Sequence, residues 1–173
     1  RRNDTGHARG AFRDGINVIT EDSSPEIVSD FYAVMGDLLM QKQRLNEAYA
    51  AYDSCLQWKP DKIGCLNNYA YNLSLGGQRL DEAEQMSYKT IKAEPHNDTY
   101  LDTYAWILFM QQRYAEARIY IDQALQNDST SNAVMTEHAG DIYALSGDME
   151  GALKLWQQAL AQDPSNKILA RKI

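Results

Sequence analysis

A repeat with a period of 34 or 35 residues constrains the fold of this 173-residue chain more than any other feature. Alanines recur at spacings of 35, 34 and 35: Ala48, Ala83, Ala117 and Ala152. Residues that end a segment keep the same spacings: Pro60, Pro95, Ser129 and Pro164. Small residues recur upstream at spacings of 34, 35 and 35: Gly36, Ala70, Ala105 and Gly140. Three sets of residues that recur with the same period indicate an array of structural repeats.

Each repeat has the pattern of two helices. Ser24 stands in a helix-capping position and Pro25 suits a first helical turn, so the sequence predicts a helix over 25–41. Apolar residues follow it at helical spacing. A second helix is predicted over 44–58, and it ends before Pro60 because proline cannot donate a hydrogen bond into a continuing helix. The small residues are expected where two helices cross closely.

The packing positions resemble those of the tetratricopeptide repeat (TPR). The first helices carry these series: Tyr32-Met35-Gly36-Leu39, Leu66-Tyr69-Ala70-Leu73, Leu101-Tyr104-Ala105-Leu108 and Thr136-Ala139-Gly140-Tyr143. The second helices carry these: Ala48-Tyr52-Cys55-Pro60, Ala83-Ser87-Thr90-Pro95, Ala117-Ile121-Ala124-Ser129 and Ala152-Trp156-Ala159-Pro164. In this pattern Ser87 and Ile121 replace an aromatic residue, and Ser129 replaces proline. We expect looser packing there.

The resemblance implies an all-α fold, a right-handed superhelical solenoid of antiparallel helix pairs. We predict one such domain over 1–173, with about four full repeats after a leading half repeat. Ala8, Phe12 and Gly15 repeat the spacing of a second helix, so the chain is expected to belong to a longer array. The predicted segments are 7–20 (second helix of a truncated repeat), the repeats 25–62, 63–97, 98–131 and 132–166, and 167–173 (a cap or next helix).

Composition makes several classes of function unfavourable. The net charge is −7 and no stretch is rich in Lys or Arg, so nucleic-acid binding is not expected. No apolar run reaches the roughly 18 residues of a membrane span, so this chain is not expected to insert into a membrane. Cys55 and Cys65 are too few for a thiolate metal site. They are interpreted as small buried residues, with one disulfide as the alternative.

No set of residues predicts catalysis, and we predict no cofactor and no metal. The three histidines, His7, His96 and His138, lie in different repeats. Only His138 has acidic residues within helical reach, Glu137 and Asp141, and we interpret this trio as a solvated helix face. Enzymatic activity in another domain of a longer protein stays an alternative.

The resemblance implies that the first helices line a concave groove. The candidate binding residues, carried over by spacing, are Asp37, Asn67, Asn68, Tyr71, Asp102, Trp106, Phe109, Glu137 and Asp141. This set is acidic and contains no Lys or Arg. Since an acidic groove repels a carboxylate, we predict no binding of a C-terminal carboxylate. The expected partner is a protein or peptide with a basic or apolar segment.

The stretch "TYLDTYAWILFM" at 99–110 combines packing and binding positions. Its packing residues are Leu101, Tyr104, Ala105 and Leu108. Trp106 and Phe109 lie off that seam and three residues apart, so they share a different face of the helix. Two interpretations of Trp106 follow: an anchor for a partner in the groove, or a core residue that fills space between adjacent first helices.

The sequence therefore predicts a non-catalytic scaffold that binds a partner segment in its concave groove. The alternative is a structural spacer or self-association module, which forms homo-oligomers through the ends of the array. The segments 66–95 and 100–118 resemble bacterial multi-repeat TPR proteins, many of which are exported or lipid-anchored. A periplasmic or outer-membrane-attached location is expected on that resemblance, with the cytoplasm as the alternative.

Overall fold

The computed structural model describes residues 13–173, and every regular element in this part of the chain is a helix. The helices are α1 (13–18), α2 (Pro25–Gln41), α3 (Leu45–Trp58), α4 (Ile63–Leu75), α5 (Leu80–Ala93), α6 (Asp98–Met110), α7 (Tyr114–Asn127), α8 (Ala133–Leu145), α9 (Met149–Gln162) and α10 (Lys167–Ala170). The all-α prediction is confirmed. Two of the residues that suggested a leading half repeat, Ala8 and Phe12, lie outside the described residues.

The chain forms two compact units, Arg1–Cys65 and Leu66–Ile173. In the described part of the first unit, α2 packs along α3. In the second unit, α6 packs along α7 and α8 along α9, and each of α6 and α8 also packs on the helix before it. This alternation of contacts within and between helix pairs is what a one-dimensional array of repeats requires.

The first helices of the repeats begin in two ways, with a proline in the first turn or after an asparagine cap. Pro25 occupies the first turn of α2 as predicted, but the Ser24 side chain makes no capping hydrogen bond. Three other first helices begin after an asparagine whose side-chain oxygen accepts from a backbone N–H: Asn97, Asn132 and Asn166. Asparagine is a strong helix cap because its short side chain satisfies an otherwise unpaired donor of the first turn.

Short turns separate the two helices of each pair. Three residues connect α2 to α3, α6 to α7, and α8 to α9, whereas four residues, 76–79, connect α4 to α5. Gln43 and Gln112 occupy the left-handed region at φ 57° and 64°, and Gly147 does so at φ 95°. One left-handed residue reverses the chain direction directly after a helix, which brings the second helix back along the first.

In two helix pairs a glycine of the first helix lies directly against a large aromatic ring of the second helix. A Cβ atom added at Gly36 would lie 2.5 Å from the ring of Tyr52, and one added at Gly140 would lie 2.3 Å from the indole of Trp156. Neither distance is compatible with van der Waals packing. The rings therefore occupy the space that the missing side chains leave open.

The other two repeats combine a larger residue on the first helix with a smaller one on the second. Their first helices carry alanine at the position of the glycine, Ala70 and Ala105, and their second helices carry Ser87 and Ile121 in place of the aromatic ring. All four residues are 0% exposed. The departures from the family pattern thus coincide with a larger residue on the first helix, and all four side chains are buried. The looser packing expected there stays a prediction.

We predict that Gly140→Ala lowers the free energy of unfolding by about 1–3 kcal/mol or more, because the added methyl group collides with Trp156. Gly64→Ala is the matched control, since an added Cβ there meets nothing within 4 Å. In a helix it should be neutral or stabilising by about 0.5–1 kcal/mol. Urea unfolding followed by circular dichroism measures both, and equal losses in the two variants would contradict this packing.

Candidate functional site

Four of the nine predicted groove residues occupy one position of the repeat, directly after the small residue of the first helix: Asp37, Tyr71, Trp106 and Asp141. This position follows a rule. It is acidic in the two repeats whose second helix carries an aromatic ring, and it is aromatic in the two repeats whose second helix does not. The position therefore has two different uses in this chain.

The acidic residues at this position serve the core. Asp37 Oδ1 accepts a hydrogen bond from the hydroxyl of Tyr52 at 2.6 Å. Asp141 Oδ1 accepts one from the indole N–H of Trp156 at 3.0 Å. A buried aromatic side chain with a polar edge needs such a partner. The sequence-based assignment of both carboxylates to ligand binding did not include this structural role.

The aromatic residues at this position form part of a stacked cluster in the second unit. The half-buried ring of Trp106 stacks on Phe109, with centroids 4.7 Å apart and 20° between the planes. Its indole also stacks on the ring of His138, at 4.1 Å and 22°. Tyr71 lies at the edge, 6.1 Å from the centroid of His138. We call Tyr71, Trp106, Phe109 and His138 the aromatic platform.

The interpretation of His138 as part of a solvated helix face is wrong. Its side chain is buried, and its Nδ1 lies 2.9 Å from Asp102 Oδ1 in the first helix of the preceding repeat. The sequence holds a signal for this contact. His138 follows Asp102 by 36 residues, one period plus one, so that adjacent first helices bring the two side chains together.

A lysine that the groove prediction did not include neutralises part of the acidic set. Lys172 Nζ lies 2.8 Å from both Glu137 Oε1 and Asp141 Oδ1. Burial lowers the pKa of Lys172, but the hydrogen bonds to these two carboxylates outweigh that effect, and the net pKa shift is upward. Asn166 also donates to Glu137, at 3.0 Å. Two of the predicted ligand carboxylates are therefore engaged within the chain.

Two groove carboxylates act on the edge of the platform. Burial raises the pKa of the Tyr71 phenol, and the charges of Asp102 and Glu137 raise it further. The acidic character predicted for the groove as a whole stays a prediction.

Two buried polar atoms of the candidate residues have no hydrogen-bond partner among the described residues: Asn67 Oδ1 and Trp106 Nε1. Asn67 is 5% exposed, and its amide nitrogen lies 3.4 Å from Asn68 Oδ1. An unpaired buried donor or acceptor costs roughly 1–3 kcal/mol. Ile121, which stands where other second helices carry Tyr or Trp, has no polar group to offer to the platform.

The predicted site residues thus divide into three groups. Tyr71, Asp102, Trp106 and Phe109 meet at the platform, with Glu137 contributing charge. Asp37 and Asp141 hold core aromatics, and Asn67 and Asn68 lie side by side on α4. Across 13–173, no group of three His, Cys, Asp or Glu residues is placed to hold a metal ion. No helix in that range is long and apolar enough to cross a membrane.

Comparison with known proteins agrees with this architecture. Residues 29–62 match the family model of the tetratricopeptide repeat. A TPR repeat-containing protein of Pseudomonas aeruginosa is 35% identical over 68 residues, which are 39% of this chain and 12% of that protein. The matched region thus spans about an eighth of the length of this relative.

Several solved structures share the fold at low sequence identity. The pilF protein of Pseudomonas aeruginosa superimposes with a TM-score of 0.74 at 17% identity, covering 87% of this chain and 68% of that chain. A thermophilic TPR protein of Thermus thermophilus gives 0.70 at 14%, over 93% and 84%. MamA of Desulfovibrio magneticus gives 0.67 at 14%, over 80% and 77%. These similarities concern the fold alone, and they confirm the predicted TPR architecture.

The unpaired indole N–H allows a test of how Trp106 is held. Trp106→Phe should leave the free energy of unfolding nearly unchanged, because it keeps a stacking ring and removes an unsatisfied donor. Trp106→Ala should cost about 2 kcal/mol, below the roughly 3–5 kcal/mol of a fully buried tryptophan. Trp156→Phe is the control and should cost clearly more than Trp106→Phe, since its N–H is bonded to Asp141. Equal costs of the two Phe variants in urea unfolding would contradict this assignment.

Proposed function

We propose that this chain is a tetratricopeptide repeat protein that acts as a non-catalytic scaffold, and that its aromatic platform binds a segment of a partner protein. Proteins with this fold generally mediate protein–protein interactions. The platform is the surface of this chain that we propose for such an interaction. The observation that carries the proposal is the change of residue type at one repeat position, from core-bonded aspartate to partly exposed Tyr71 and Trp106.

The aromatic residues at this position are not required by the packing of their own helix pairs. In those repeats the space between the helices is filled by Ala70 with Ser87 and by Ala105 with Ile121, all fully buried. Tyr71 and Trp106 are only half-buried, and Phe109 is partly exposed beside Trp106. Large aromatic groups that are rigid and partly exposed are the side chains that contribute most to protein interfaces.

The chemistry of the platform favours a partner segment with an apolar anchor next to a basic residue. The stacked rings of Trp106 and Phe109 provide an apolar surface, and the field of Asp102 and Glu137 at Tyr71 attracts positive charge. Lys172 already engages Glu137 and Asp141, so the attraction is concentrated on the side of Asp102 and Tyr71. A free carboxylate terminus of a partner is disfavoured at this place.

The non-catalytic part of the proposal rests on how the one acid–base pair of the platform is used. His138 and Asp102 are hydrogen-bonded as a general base and its orienting carboxylate would be. The His138 ring, however, is stacked flat on Trp106 and buried, which makes it a packing element between adjacent repeats.

Self-association stays the alternative proposal. Exposed apolar residues favour it: Val18 and Ile27 in the first unit and Ile168 in the second are each more than 70% exposed. Light scattering over a range of concentrations distinguishes the two proposals, because an association of copies raises the mean mass with concentration. A constant monomer mass would remove the alternative for this chain.

The proposed binding is tested by capture and titration. We expect Trp106→Ala/Phe109→Ala to lose a partner that wild type captures from cell lysate, with at least about 2 kcal/mol lost for an anchor residue. Tyr88→Ala/Ile119→Ala is the matched control, since these residues are exposed on the second helices α5 and α7. Calorimetry with the captured partner should show affinity that falls as salt rises.

Thermal melting first establishes that each variant is folded at the binding temperature. Loss of the partner by the platform variant and its retention by the control support the proposal. Equal retention by both variants, or equal loss, would place the interaction elsewhere on the chain and contradict it.

A further inference from the structure

Two thiols that the proposed function does not use lie side by side in the first unit. Cys55 is in the last turn of α3, and Cys65 is in the first turn of α4. Both are free, and their side chains are buried, at 0% and 2% exposure. This confirms the interpretation of the two residues as small and buried, and it leaves open what their sulfur chemistry does.

The backbone contacts place the two sulfur atoms on the same turn of α3. Cys65 Sγ donates to the carbonyl oxygen of Tyr52 at 3.9 Å. Tyr52 precedes Cys55 by three residues, and a helical carbonyl points toward the residues three and four positions further along. The sulfur of Cys65 therefore lies against the turn that carries Cys55.

The repeat pattern does not require cysteine at either place. At the position of Cys55 the other repeats carry small residues: Thr90, Ala124 and Ala159. At the position of Cys65 they carry large ones: Tyr100, Met135 and Leu169. A small residue and a large residue thus fill this junction elsewhere in the chain. Only between α3 and α4 do two sulfur atoms meet at it.

We propose that Cys55 and Cys65 are a dithiol that oxidises reversibly to an intramolecular disulfide. Both side chains are buried at one helix junction, where the Cys65 sulfur contacts the turn of α3 that carries Cys55, and a disulfide requires such proximity. The bond would join the second helix of one repeat to the first helix of the next across the linker 59–62. It would constrain the unfolded chain and so stabilise the fold. This inference is independent of the aromatic platform.

The oxidant is a small disulfide such as oxidised glutathione. One cysteine thiolate, its proton released to water, attacks a glutathione sulfur, breaks that S–S bond and expels one glutathione thiolate. The second cysteine, likewise deprotonated, attacks the protein sulfur of the mixed disulfide and expels the other. Two protein thiols are oxidised and one glutathione disulfide is reduced to two thiols. The neighbouring Cys55 side chain and burial raise the pKa of the Cys65 thiol, so the exchange should accelerate as pH rises.

The test is oxidation of the folded chain with oxidised glutathione, followed by unfolding and alkylation with iodoacetamide. We expect the chain to lose the mass of two hydrogen atoms and to take up no alkyl group. Trypsin should then release the peptides 45–62 and 63–79 as one disulfide-linked species. Circular dichroism should show unchanged helicity, and the oxidised chain should melt at a higher temperature than the reduced chain.

Two controls make the outcome decisive. Cys65→Ser should show no loss of two hydrogen atoms, and dithiothreitol should return oxidised wild type to two alkylatable thiols. The proposal is overturned if the folded chain keeps both thiols under conditions in which the chain in urea forms the disulfide. It is equally overturned if the linkage joins cysteines of different copies.

Discussion

The close approach of two helices within a pair is the constraint on which the rest of the structure depends. Where the first helix carries glycine, at Gly36 and Gly140, the second helix fills the space with Tyr52 or Trp156 at distances that exclude even a methyl group. Where it carries alanine, the second helix carries a smaller or narrower residue. Interiors packed at this density allow few other combinations, since one added carbon forces a neighbour to move.

This choice of sizes determines what the next residue on the first helix can do. A core tyrosine or tryptophan brings a polar edge that needs an acceptor, and Asp37 and Asp141 supply it. Repeats without that ring place no aromatic N–H or O–H beside this position, which carries Tyr71 and Trp106 instead. The aromatic platform thus arises in the repeats whose cores are filled by aliphatic and small residues. Packing and proposed binding are linked through one position of the repeat.

Much of the architecture was predictable because it is local and periodic. The predicted helices 25–41 and 44–58 differ from α2 and α3 by no more than one residue at each end. The partners of the groove residues were not predictable in the same way. Spacing indicates which face of a helix a residue occupies, but the contacts of Asp102 with His138 and of Glu137 with Lys172 join residues about one period apart. The net field of the groove depends on such pairs, and composition alone does not reveal them.

The most direct test of this account is a double-mutant cycle between Gly140 and Trp156. Gly140→Ala and Trp156→Ile, made separately and together, convert the fourth repeat to the Ala and Ile combination of the third. The double variant should lose less unfolding free energy than the two single variants lose in total. The difference, which is the coupling energy, should be about 1 kcal/mol or more. Additive losses would mean that ring size and helix approach are independent, which would contradict the account.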